Sequence, residues 1–203
     1  MVLLQSQVLD QLLLFEDLLK FSSPTLDRAN FVWSSQQTRP AEVRAIASGG
    51  TQVSLATTWT GATEVAALRI SRDGSRLAAI IKQTNRYTVQ VAGVVRADDG
   101  TPVGLTQAVI VGWSDFEALD LDWINANQLA VVTQRENAAA QMSTVGLGQF
   151  SKALGTSPGI TTIAGANSVS ELRALSSTGS LRAPQGVTWR QVVKNISLLG
   201  KRS

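Results

Sequence analysis

Short β-rich runs separated by clusters of Ser, Gly, Asn, Asp and Pro dominate this chain from Phe21 onward, and that spacing predicts strands. Phe31-Val32-Trp33, Glu42 to Ile46 and Gln52 to Leu55 are three such runs, with Ser48-Gly49-Gly50 marking a reversal between the last two. Val65 to Ile70 and Leu77 to Ile81 follow, and Tyr87 to Ala92 alternates as a half-buried strand does. Asp98-Asp99-Gly100-Thr101-Pro102 predicts a tight turn, since Asp and Gly tolerate the backbone angles a reversal needs. The pattern continues at Val109 to Val111, Ala118 to Trp123 and Gln128 to Val132, and again at 143–148, 159–163, 172–175 and 187–193. Residues 134–143 read as a loop or a helical turn. Residues 1–20 support two readings. Leu4, Val8, Leu12, Phe15 and Leu19 fall near helical spacing, while Val8-Leu9 and Leu12 to Phe15 also fit two short strands around Asp10-Gln11.

A degraded repeat runs through these elements. Asp73-Gly-Ser-Arg-Leu77 aligns with Asp27 to Phe31, Asn125 to Leu129 and Thr178 to Arg182. The starts at 27, 73, 125 and 178 differ by 46, 52 and 53 residues. Periods near this length are those of β-propeller blades, each a small sheet that buries its faces against its neighbours. With no linker that divides residues 1–203, the expectation is one all-β, propeller-type domain with about four blades' worth of sequence. A propeller removes its sheet edges by closing. Four blades are few, so the expectation includes a fragment of a larger propeller and self-association through open sheet edges.

Composition narrows the chemistry. The 203 residues contain no cysteine, which excludes disulfides, thiolate metal sites and a cysteine nucleophile. They contain no histidine, which removes the commonest general base and metal ligand and rules out a Ser-His-Asp triad. The net charge is +3, but the arginines are scattered and no basic run exceeds two residues, so nucleic acid is not an expected partner. No stretch is apolar enough to span a membrane as a helix. Residues 1–20 lack the basic start and long apolar run of a signal peptide, so any export signal is expected upstream.

Candidate chemistry is correspondingly thin. No phosphate-cradling Gly-rich loop is present, and no cofactor is expected. Asp73-Gly74 and Asp99-Gly100 read as plain turns, because a calcium loop needs several oxygen ligands along one segment. Asp115, Glu117, Asp120 and Asp122 form the densest acidic group. On a strand Asp120 and Asp122 share a face, and the favoured reading is a solvated strand end. Trp33, Trp123 and Trp189 lie within strand runs and read as packing, whereas Trp59 and Trp113 lie in polar, Gly-containing surroundings. Packing is the favoured reading for those two as well, with a protein-contact anchor as the alternative. The residues selected as a candidate contact surface are Trp113, Asp115, Phe116 and Trp59.

Several of these segments together resemble one family. Ser23-Pro24-Thr25-Leu26-Asp27-Arg28 leading into Phe31-Val32-Trp33, and Leu68 to Ala78, resemble the propeller domain of the actinobacterial LpqB lipoproteins. Val91 to Arg96 running into Asp99-Gly100-Thr101-Pro102, and Leu121-Asp122-Trp123 with Gln128 to Val132, follow in the same order. The resemblance covers residues 16–200, leaving 1–15 as an uncertain lead-in, and favours strands over helix for residues 8–20. It implies a non-catalytic, extracytoplasmic accessory domain that binds the extracellular sensor domain of a two-component histidine kinase of the MtrB type. Cell-wall and division signalling would be modulated that way. The family's lipidated N-terminus and germination-type domain are not in this sequence, so membrane association is expected only through an upstream anchor. The alternative is a carbohydrate-binding or carbohydrate-active propeller on cell-wall glycans, with Trp59 as a stacking platform and two acids across a pocket.

Overall fold

The computed structural model describes residues 21–36, 39–47, 50–146, 149–165, 168–185 and 188–193. The strand-or-helix choice for residues 1–20 lies outside the described residues. The rest is built from antiparallel meanders. The first comprises β1 (Phe21–Leu26), β2 (Phe31–Gln36), β3 (Arg39–Ala47) and β4 (Gln52–Ala56), paired in sequence order. The second has β5 (Glu64–Ile70), β6 (Arg76–Lys82) and β7 (Tyr87–Arg96). Its long third strand carries two partners end to end, β8 (Pro102–Leu105) at one end and β9 (Val109–Ser114) at the other.

The third meander runs through β10 (Glu117–Asn125), β11 (Gln128–Gln134), β12 (Ala140–Gly146) and β13 (Gln149–Ser157). The fourth runs through β14 (Ile160–Ala164), β15 (Arg173–Ser176), β16 (Leu181–Gln185) and β17 (Thr188–Val193). These two join at their outer strands by a parallel contact between Thr156 and Thr188. Among the described residues the one helical element is a single 3-10 turn, Val169–Glu171, and no helix is long and apolar enough to cross a membrane.

One turn geometry recurs across the hairpins. The amide of Asn30, Gly50, Gly74, Gly100 or Gly179 donates to the carbonyl three residues back, and each of these five residues has positive φ. That is a tight turn closed by a left-handed residue, which glycine or asparagine fills with least strain. The repeat seen in sequence carries this turn at Asp27, Asp73 and Thr178, whereas at its Asn125 copy the Asn127 amide donates to the Asn125 side chain. Its first three copies join the first and second strands of their meanders, but the fourth, at Thr178-Gly179, joins β15 to β16, the second and third. The β14–β15 connection is instead the longer segment bearing the 3-10 turn.

The innermost strands β1, β5, β10 and β14 pack one on the next, so the meanders stand as successive blades around a common axis. Three apolar clusters fill the three spaces between blades. Phe31, Trp33, Val43 and Leu55 of blade one meet Leu68, Leu77 and Ile81 of blade two. Ile80 and Val89 meet Leu121, Trp123 and Leu129 across the next space, and Ile124, Val132 and Met142 meet Ile160, Leu172 and Trp189 across the last. A middle strand therefore buries both faces. Along β6, Leu77, Ala79 and Ile81 enter the first cluster while Ala78 and Ile80 enter the second. Leu129 and Val131 alternate with Ala130 and Val132 in the same way along β11. This is why these strands read as continuous apolar runs rather than alternating ones. The all-β, propeller-type architecture with four blades follows the sequence expectation. Among the described residues β14 does not pack on β1 as the other inner strands pack on their neighbours, so the four blades form an open arc.

Candidate functional site

Two of the acids singled out in the sequence, Asp120 and Asp122, hold blades together. Asp120 is buried, contrary to the solvated strand end expected for it. Its Oδ1 accepts from Arg69 of blade two at 2.9 Å, and its Oδ2 from the Ile163 amide of blade four at 3.0 Å, so one carboxylate ties three blades. Asp122 shares that side of β10, as the period of two requires, and accepts from the Gly165 amide at 2.8 Å. The repulsion expected between the two is met by these donors. Burial raises the Asp120 carboxyl above its usual range, and Arg69 and the amides offset only part of that.

Asp27 plays the matching part between blades one and two. It accepts from Trp33 Nε1 at 2.8 Å, the Phe31 amide at 3.0 Å and Arg96 at 2.5 Å. Burial works to raise its pKa, but the three donors and the Arg96 charge overturn that and hold the carboxyl below its usual range. The guanidinium of Arg96 also lies over the rings of Phe31 and Trp33. Asp73 is drawn down chiefly by Ser71, and its carboxylate is taken up by Ser71 and Ser75 inside its own turn. Asp99 accepts from the Thr101 amide at 2.8 Å, so both Asp-Gly sites are turns whose carboxylates serve the turn.

The candidate contact residues separate. Trp59 is only 8% exposed and belongs to the cluster between blades one and two, which is the packing favoured for it and corrects its selection for the contact surface. The segment around it looks loop-like in sequence but is pinned to blade two, with Thr58 hydroxyl bonded to Thr106 and Ala108 and the Thr60 backbone bonded to Gln90. Those bonds drive the indole inward, so neither a protein anchor nor a glycan platform is available there. Trp33, Trp123 and Trp189 are buried as expected, and each indole N–H reaches an acceptor, Asp27, Arg69 carbonyl and Leu154 carbonyl respectively.

Trp113, Asp115 and Phe116 instead come together. Trp113 stands on β9 with 65% of its surface exposed, against the favoured reading of packing. With Asp115 and Phe116 it lines a groove of 710 Å³ between blades two and three. Tyr87, Val89 and Val111 form the blade-two wall, and Val131, Ser143 and Val145 form the other. The walls close where Gly112 meets Val145; a Cβ on Gly112 would stand 3.2 Å from a Val145 methyl. The opposite end opens onto an adjoining hollow bounded by Asp115, Glu117, Arg135 and Glu136, with Arg135 over the Phe116 ring at 4.1 Å. Nothing in the local sequence pattern singles out Tyr87, Arg135 or Glu136. Only the packing of β7 and the β11–β12 turn against β9 brings them to the groove.

Comparison with known proteins agrees with this architecture. The chain matches the lipoprotein LpqB beta-propeller domain over residues 7–197, and it belongs to that family. No curated protein matches it. Among solved structures it is similar to a chain of the nidogen/laminin complex, with 12% identity, TM-score 0.58, and coverage of 84% of this chain and 64% of that one. The Cps50 (Swd1) beta-propeller domain of Myceliophteria thermophila is similar at 11% identity and TM-score 0.52, covering 84% and 57%. A protein from Lactobacillus plantarum is similar at 14% identity and TM-score 0.54, covering 89% and 57%. The chain thus spans less than two thirds of each of these three structures, and at these identities the likeness is one of fold.

Proposed function

We propose that this propeller domain is a non-catalytic accessory module that binds the extracellular sensor domain of a two-component histidine kinase of the MtrB type. It acts outside the cytoplasm, as membership of a lipoprotein family suggests. Membership of the LpqB propeller family supports a protein-interaction domain. The single observation that carries the choice of surface is Trp113, a large aromatic left exposed on an outer strand beside an apolar groove. Buried aromatic anchors dominate binding energy at protein interfaces, and an exposed one beside a groove is the unbound form of such an anchor. Signalling would change only if the domain binds the sensor's states unequally.

The test is calorimetry of this chain with the extracellular domain of its cognate sensor at physiological salt. Saturable binding at about micromolar Kd, weakened about tenfold or more by Trp113→Ala, is the expected result. An absence of heat with a folded, monomeric chain would remove the role from this domain.

A further inference from the structure

We infer that the groove between blades two and three receives an extended, basic peptide segment of the partner, which adds as a strand to the free edge of β9. The inference rests on the protein-interaction reading above and names the chemistry of what binds. Three observations carry it. Among the described residues the outer edge of β9 has no partner strand, and β9 pairs with β7 alone. Natural sheet edges of this kind are blunted by charges, proline or inward-pointing polar groups. The β9 sequence, Val-Ile-Val-Gly-Trp-Ser, has neither charge nor proline; its pairing with β7 shifts register between Ile110 and Gly112, yet Val109, Ile110 and Trp113 remain 60%, 46% and 65% exposed. An uncharged apolar edge offers main-chain hydrogen bonds to an incoming strand, with pockets reading its alternate side chains.

The second observation is the groove itself, which lies on the blade-three side of β9 and takes the side chains such a strand directs to that face. Its apolar floor and its two aromatic walls, Tyr87 and Trp113, suit an aliphatic stem or the face of a guanidinium. The third is charge. Asp115, Glu117 and Glu136 are exposed at the mouth, and none forms an ion pair among the described residues. Among the described residues the one cation there, Arg135, is stacked on Phe116. An acidic mouth on a chain of net charge +3 selects arginine or lysine on the incoming strand.

The experiment uses the full chain and three blocked hexapeptides, of alternating valine and arginine, valine and serine, and valine and glutamate. Tryptophan fluorescence, with Trp113→Phe as the control that assigns the change to the groove, and calorimetry read binding. The expected result is saturable binding of the arginine peptide, weaker binding of the serine peptide and none of the glutamate peptide. Ser143→Phe, which fills the groove, and the triple variant D115N/E117Q/E136Q should each weaken the arginine peptide about tenfold or more. These positions lie on the surface or groove wall, and circular dichroism checks that the variants fold. Equal affinity for the arginine and glutamate peptides, or undiminished binding to Ser143→Phe, would overturn the inference. Sensor-domain binding that depends on Trp113 while no peptide binds would overturn it too, and would leave the interaction role standing. A chain dimer in sedimentation that Trp113→Ser dissociates would place a second copy on β9 and likewise overturn it.

Discussion

Asp27 and Asp120 do similar structural work with opposite electrostatic consequences. Asp27 is held ionised, and its side chain has no exposed surface, so Asp27→Asn leaves Arg96 partly unpaired among Phe31 and Trp33. Breaking one side of a buried pair is expected to cost about 3 kcal/mol of stability, read as a fall in the urea midpoint. For Asp120 the folded pKa is raised, so the folded state takes up a proton before the unfolded chain does. Stability should then rise as pH falls from neutrality towards the unfolded carboxyl value near 4. Asp27 contributes the reverse. Its folded pKa is lowered, so its stabilisation is full above that same value and is lost as pH falls further. With no histidine in the chain, little else titrates between pH 5 and 7. Urea unfolding across pH should show the rise in the native chain and lose it in Asp120→Asn. An equal rise in the variant would assign it to other carboxyls.

At the scale of single elements, close approach of backbones decides more than propensity. Gly165 follows β14 where blade four meets β10, and a Cβ there would stand 1.9 Å from the Trp123 carbonyl oxygen. Gly100 has φ of +83° but nothing within 4 Å of its Cβ position. Gly100→Ala should therefore cost about 1 kcal/mol from its left-handed backbone, and Gly165→Ala about 3 kcal/mol from overpacking. Thermal unfolding compares them, and an equal loss would mean that β10 and β14 yield freely to each other. The same contrast explains what was legible in the sequence. Strands β6 and β11 were plain because burial on both faces makes them apolar throughout, and the turns at Asp73 and Asp99 carry their own chemistry. Strands β13, Gln-Phe-Ser-Lys-Ala-Leu-Gly-Thr-Ser, and β16, Leu-Arg-Ala-Pro-Gln, were not, because polar residues, Gly and Pro obscure the strand pattern. Residues 134–143 resolve into a turn and the start of β12. Trp113 and Trp59 have similar sequence surroundings, yet one is exposed and the other buried. Hydrogen bonds from Thr58 and Thr60 to residues 30 to 50 positions away make that difference, and no local pattern records them.

The whole molecule behaves as a short array because each apolar cluster joins only two adjacent blades. Blade two shares clusters with both neighbours, and so does blade three, whereas blade four shares one, with blade three. Stability in such an array is close to a sum of blade terms and nearest-neighbour terms, so damage at one end should stay there. Ile160 has no exposed surface and sits in the last cluster, and Ile160→Ala is expected to cost about 2–4 kcal/mol. Hydrogen exchange should show the loss as faster exchange through β14 to β17, with strands β2, β3 and β6 unchanged. Asp120 is the one described side chain that reaches from blade two to blade four, so it sets how far the loss travels. If Ile160→Ala speeds exchange in β5 through Arg69, and Asp120→Asn abolishes that spread, the carboxylate is the coupling element. Uniform acceleration from blade one to blade four would instead make the arc a single cooperative unit and defeat the nearest-neighbour description.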